Sequence, residues 1–240
     1  MEKYSDFLER ISYQQAELQI CDGDFVSDDR VHKKVNEDNR FRAFYGDTTV
    51  FTLSGKTRKK IAEIIDVLYE RTPECFSQRL DEHTLHMTLH DLSSSDNLSE
   101  ISEEMFENEI RLLRCLEKDP VKEQTIEMKT NYIVNMVDTS LIMALIPADK
   151  TEWHKLQKLY SLVDKVRVCP YPYLTPHITL AYFSHNGFTV QSAEKLREVV
   201  KELNSAEKFT VSLHTDKLFY QKFVDMEQYI NIFRFTACHK

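Results

Sequence analysis

The sequence predicts an α+β protein: one domain of two lobes related by a pseudo-twofold axis, with sheets lining a central cleft and helices outside. Three observations lead there. A His-x-Thr-apolar tetrapeptide is written twice, as His86-Met87-Thr88-Leu89 and His177-Ile178-Thr179-Leu180, in stretches 84–92 and 174–183 that are rich in strand formers. Each copy follows the same series of elements, a strand, a Lys-Thr pair and an amphipathic helix. The first helix carries Ile61, Ile64, Ile65, Leu68 and Tyr69 after Lys56-Thr57 and stops at Pro73; the second carries Trp153, Leu156, Leu159, Leu162 and Val163 after Lys150-Thr151 and stops before Pro170 and Pro172. Such matched halves are the mark of a duplication. Finally, no Gly/Ser linker or low-complexity tract separates the halves, and 240 residues can bury one large core.

Taken in order, residues 1–22 place Phe7, Leu8, Ile11, Leu18 and Ile20 among charges, which predicts an amphipathic helix. An acidic link then runs over the surface to a turn at 36–39. Residues 1–40 form a helical arm in this reading, and residues 41–240 form the bilobal domain. Residues 41–53 are aromatic and β-branched, with a turn expected at Gly46-Asp47 that divides them into two strands. Ser54 is placed to cap the helix that follows. A second helix at 99–118 carries Ile101, Met105, Ile110, Leu113 and Leu116 and is closed by Asp119-Pro120. Strands are expected at 125–137 and 140–146, then a helix at 191–203 after the second motif, and strands at 209–213 and 229–235.

Composition narrows the function. With 42% hydrophobic and 29% charged residues the chain is of ordinary soluble, globular type. No apolar run approaches a membrane span, and the start, Met1-Glu2-Lys3-Tyr4, has neither a basic nor an apolar leader. A cytoplasmic monomer without a membrane partner is the expectation. Five cysteines, an odd number without C-x-x-C spacing, point to free thiols rather than a disulfide framework or a thiolate zinc site. The net charge of −8 argues against binding along long duplex nucleic acid, where affinity comes from Lys and Arg on phosphates, and is compatible with a small substrate or the end of an RNA strand. Ser54-Gly55-Lys56-Thr57 ends like a nucleotide-binding phosphate loop, but Val50 stands where that loop needs glycine. No cofactor is expected.

Alternation along a strand puts each motif's His and Thr on one face, and Met87 and Leu89, or Ile178 and Leu180, on the other. An imidazole exchanges protons near neutral pH, and a threonine hydroxyl donates to an anionic oxygen. Two such pairs facing each other would hold a phosphate between two hydroxyls, with one imidazole to remove a proton and one to supply it. In these two tetrapeptides the sequence resembles the 2H phosphoesterase superfamily, which includes the LigT-like RNA 2′,3′-cyclic phosphodiesterases and is defined by two such motifs. The similarity spans residues 40–237. It implies antiparallel sheets around the cleft and a phosphodiesterase that needs no metal, with His177 as the base that activates water, His86 as the acid, and Thr88 and Thr179 on the non-bridging oxygens. Hydrolysis of 2′-5′ or cyclic oligonucleotides, and a non-catalytic nucleotide-binding or RNA-binding module, are the alternatives.

Around the motifs, strict alternation places His90 on the face of His86, and Ala181 and Phe183 on the face of His177, with Tyr182 toward the core. Phe183, His90, Tyr173 and Tyr171 are therefore candidate substrate contacts. Some LigT-like proteins carry an arginine soon after the second motif and none stands here; Arg42, Lys56 and Arg58 are the candidate cations. His83, His86, His90 and Asp91 crowd together, but residues four apart on a strand lie roughly 13 Å from one another, too far to share a metal ion. No metal site is expected.

Overall fold

Side-chain oxygens start each of the helices that flank the motif strands. Ser54 caps α3 (Gly55–Arg71), Asn97 caps α4 (Leu98–Lys118), Asp149 caps α5 (Lys150–Asp164) and Thr189 caps α6 (Val190–Ser205), each accepting from a first-turn backbone N–H. Ahead of them lie α1 (Tyr4–Glu17) and the four-residue α2 (Asp29–His32). The computed structural model describes residues 2–17, 19–167 and 173–236, so Leu18, Cys169, Pro170, Tyr171, Pro172 and Cys238 lie outside the described residues. Cys21, Cys75 and Cys115 are free thiols. No helix among the described residues is long and apolar enough to cross a membrane.

The strands are β1 (Tyr45–Thr52), β2 (His86–Ser95), β3 (Thr125–Met136), β4 (Ser140–Pro147), β5 (His177–Tyr182), β6 (Thr210–His214), β7 (Leu218–Phe223) and β8 (Tyr229–Arg234). They form a single eight-stranded sheet in the order β6-β3-β4-β5-β2-β1-β7-β8, every neighbouring pair antiparallel. The expected separate sheets are thus one. Each motif strand would otherwise end its half of the sheet with an unpaired ladder, and pairing β2 with β5, Met87 opposite Ile178, removes both edges at once. Outward from that join the halves read β2-β1-β7-β8 and β5-β4-β3-β6. The strand after α4 crosses to pair with β4, and β7 crosses back to pair with β1, so the halves interlock.

Helices cover one face of the sheet. Met87, Leu89, Ile178 and Leu180 point there and are at most 1% exposed, in one core with Phe51, Ile61, Leu68, Leu112, Trp153 and Leu156. Each such side chain contributes about 1.5–3 kcal/mol by leaving water. Residues 1–40 share this core: Phe7 stacks on Trp153 with ring centroids 4.2 Å apart. Phe25 exchanges backbone hydrogen bonds of 2.8 and 3.0 Å with Phe188. Gly187 beside it has φ +72°, and a Cβ there would lie 2.0 Å from the Phe25 carbonyl oxygen, so only glycine lets the leading segment close on the body.

Two expectations need correction. Gly46-Asp47 is no turn, since β1 runs straight through it: Gly46 lies against the Phe223 ring, and the buried Asp47 carboxylate accepts from the Ser93 backbone N–H and the Tyr220 hydroxyl. Strand β7 was not anticipated, although Leu218 and Tyr220 alternate into the core as a strand should.

Candidate active site

The β2–β5 pairing brings the two motifs together. Met87 opposite Ile178 in an antiparallel register sets His86 beside Thr179 and Thr88 beside His177, one step to either side. Residues directly opposite share a face, with Cβ atoms about 4.5–5.5 Å apart. The burial pattern agrees: Met87 and Ile178 are fully buried on the helix side, while all four motif side chains are half-buried on the other. Each histidine thus lies across from the other motif's threonine.

Both imidazoles are held alike. His86 Nδ1 lies 2.6 Å from the Thr84 carbonyl oxygen, and His177 Nδ1 lies 2.8 Å from that of Thr175. A carbonyl oxygen only accepts, so Nδ1 carries the proton in both rings and Nε2 is the atom free to give or take one. Arg10 braces the second of these loops, donating to the Leu174 carbonyl at 2.9 Å and to Thr175 Oγ1 at 2.9 Å. Neither Thr88 nor Thr179 has a hydrogen-bond partner for its hydroxyl among the described residues.

Directly after each motif the strand carries an extra residue. Thr88 pairs with Val50 but His90 with Thr49, which leaves Leu89 over; Thr179 pairs with Ile142 but Ala181 with Leu141, which leaves Leu180 over. These matched β-bulges reverse the alternation beyond the threonines. His90 therefore turns to the helix side, 2% exposed, with Nδ1 2.5 Å from the Asp91 carbonyl oxygen and Nε2 3.2 Å from Asp164. Phe183 is fully buried against Phe25, Phe76 and Phe188. The expectation that His90 and Phe183 share the motif face is overturned, and Asp91 and Tyr182 take those places. Tyr173 is exposed in the loop entering β5, with the Arg10 guanidinium 5.4 Å from its ring centroid. A single bulge is not written in residue type, and period-two reasoning fails one residue past it.

The sheet curls around this face. Strand β8 lies three strands from β2, roughly 14 Å on a flat sheet, yet Tyr229 packs edge-on against His86 with ring centroids 5.0 Å apart. Tyr229, Tyr182, Phe41, Phe44 and Phe223 wall one end of the cleft, and Val134, Ile142 and Ala144 make an apolar floor at the other. Burial depresses the affinity of both imidazoles for protons below the usual histidine range; the Nδ1 hydrogen bonds and the Asp91 carboxylate oppose it. His177 further depresses His86, and the Lys34 ammonium depresses His177. Of the cations expected near the phosphate, Arg42 donates to the His32 carbonyl, Arg58 lies on His83, and Lys56 is exposed at the start of α3. Lys34 was missed because it lies outside both repeats. His83 is exposed on a short 3₁₀ turn against Arg58 while His90 is buried, so the crowded histidines diverge.

No protein-family model matches the chain, and no curated protein matches it. Solved structures do. A conserved protein of unknown function from Agrobacterium tumefaciens, ATU0111, superposes with a TM-score of 0.60 at 14% identity, over 84% of this chain and 90% of that one, and shares its fold. Escherichia coli LigT, crystallised with 3′-AMP, matches with a TM-score of 0.45 at 14% identity over 82% of this chain and 99% of its own. TT0787 of Thermus thermophilus matches with a TM-score of 0.45 at 13% identity, over 81% and 100%.

Proposed function

We propose that the protein is a 2H-type phosphoesterase that hydrolyses 2′,3′-cyclic phosphates of nucleotides or RNA ends by metal-independent two-histidine acid–base catalysis. The observation that carries this reading is the crossed arrangement of the motifs, His86 beside Thr179 and Thr88 beside His177, with both Nδ1 atoms tied to carbonyls and both Nε2 atoms available. A phosphate seated across the join meets one hydroxyl and one imidazole from each side. His177 acts as the base: burial, and after it the Lys34 ammonium, favours its neutral form. It takes the proton of a water as the water oxygen bonds to phosphorus, and His86 gives its Nε2 proton to the departing ribose oxygen. Thr88 and Thr179 donate to the non-bridging oxygens, where charge builds up. The apolar floor strengthens these interactions by lowering the local dielectric, and Tyr182 and Tyr229 offer faces on which a base can stack.

The test is hydrolysis of the four nucleoside 2′,3′-cyclic monophosphates in EDTA. Turnover that survives the chelator and vanishes in His86→Ala and His177→Ala supports the reading. Tight binding of these nucleotides without turnover by the wild type would instead identify a binding module.

Two further outcomes are expected. Thr88→Val and Thr179→Val each lower kcat on the order of 10²-fold, with KM changed far less, because the hydroxyls act on charge that develops in the transition state; steady-state kinetics on a cyclic phosphate reads this split. Asp91→Asn removes a charge that holds protons on both imidazoles. Both histidines then lose their protons at lower pH, so both limbs of the pH–rate profile move toward acid, and activity on the alkaline side falls.

A further inference from the structure

The cleft-facing stretches 86–91 and 177–182 of the two motif strands contain no lysine or arginine, and the leading segment supplies the missing cation. The Lys34 Nζ lies 5.3 Å from the centroid of the Phe44 ring and 5.2 Å from that of Tyr182, the residue that the second bulge turns toward the cleft. Its backbone is pinned from both sides. The Lys34 N–H donates to the Val31 carbonyl at 2.8 Å, the Arg42 N–H donates to the Lys34 carbonyl at 3.0 Å, and Val31 and Val35 on either side are fully buried. Among the described residues Lys34 makes no ion pair with a carboxylate. An ammonium held over two aromatic faces, one of them Tyr182 at the end of the second motif strand, and in no ion pair among the described residues, is poised for an anion that arrives at the motifs.

The charges around His177 define which anion. Lys34 gives one positive charge, and Asp91, which acts on both histidines from β2, gives one negative charge that opposes the second charge of a dianion. Asp225 adds a second carboxylate farther out, beside Tyr229. A phosphodiester carries one charge and a terminal phosphomonoester at pH 8 carries two. We propose that Lys34 is the anion-binding group of the site and that, set against Asp91, it makes the cleft selective for phosphodiester monoanions over phosphomonoester dianions. This rests on the phosphoesterase reading above. It also gives residues 1–40 a part in function, and it lets a monoester product leave more readily than the substrate.

The experiment has two arms. Calorimetric binding of adenosine 2′,3′-cyclic phosphate and adenosine 2′-phosphate at pH 8 is measured in a His86→Ala background, alone and with Lys34→Gln, Lys34→Arg or Asp91→Asn. The cyclic phosphate is expected to bind the parent at least tenfold more tightly than the monophosphate. Lys34→Gln should weaken it by at least tenfold and Lys34→Arg should restore most of that loss, while Asp91→Asn should narrow the preference. Equal binding by the parent and Lys34→Gln, or tighter binding of the monophosphate to the parent, would overturn the inference. Turnover of cyclic phosphate by the wild type is scored separately: its absence would count against the phosphoesterase reading, while the binding comparison still decides the role of Lys34. Imidazole NMR supplies a readout that loss of packing would not move. In Lys34→Gln, His177 should titrate at higher pH, since Lys34 is the cation depressing it, while Asp91 and the Thr175 carbonyl continue to act on it.

Discussion

Replacing either His86 or His177 by alanine should lower kcat on a 2′,3′-cyclic phosphate by about 10² to 10⁴-fold, the range expected for loss of a positioned general acid or base. The double variant should be little worse than the poorer single, because each proton transfer is useless without the other. Binding should survive in both, since the threonines and Lys34 stay in place. The fold should survive too: both rings are half-buried on the cleft face, and the core beneath them consists of Met87, Leu89, Ile178 and Leu180. Steady-state kinetics with a parallel thermal melt would check both halves of this expectation. A single variant that keeps wild-type kcat would remove that histidine from the mechanism.

A large loss of stability is expected at Gly46→Ala. A Cβ there would lie 2.3 Å from the Ser93 backbone oxygen and 2.3 Å from Cζ of Phe223. The ring can give way, but the backbone of β2 can move only by opening the β1–β2 ladder at the Asp47–Ser93–Tyr220 hydrogen-bond network. Overpacking of this kind should cost about 3 kcal/mol, a fall of roughly 6–12 °C in Tm for a chain of this size. Gly55→Ala is the control: nothing lies within 4 Å of a Cβ there, and the residue opens α3. That variant should melt within a degree or two of wild type or slightly above it. Equal melting of the two variants would contradict the packing described at Gly46.

Much of this was legible in the sequence. Helical spacing, with the Ser54 cap at α3, located α3, α4, α5 and α6 to within a few residues, because amphipathic periodicity and a capping side chain are local signals. The paired tetrapeptides identified which four side chains meet. What escaped depends on contacts between distant residues. Gly46-Asp47 has the composition of a turn, yet Phe223 and Ser93 hold it in a strand. The bulges at Leu89 and Leu180 come from how β2 and β5 pair with β1 and β4, and they exchange His90 for Asp91 and Phe183 for Tyr182 on the cleft face. Lys34 is an unremarkable lysine in an acidic stretch until the leading segment folds back over Tyr182. The sequence thus carried the two motifs, while the side chains packed around them arise from tertiary structure.

In the proposed mechanism the two imidazoles meet one phosphate in opposite protonation states. Its most direct test is the pH dependence of kcat/KM for a nucleoside 2′,3′-cyclic phosphate in the wild type and in the residual activities of His177→Ala and His86→Ala. The wild-type profile should be bell-shaped; His177→Ala should lose the acidic limb, where the base must shed its proton, and His86→Ala the alkaline limb, where the acid must keep its own. A monotonic wild-type profile, or a bell that survives intact in either variant, would contradict it.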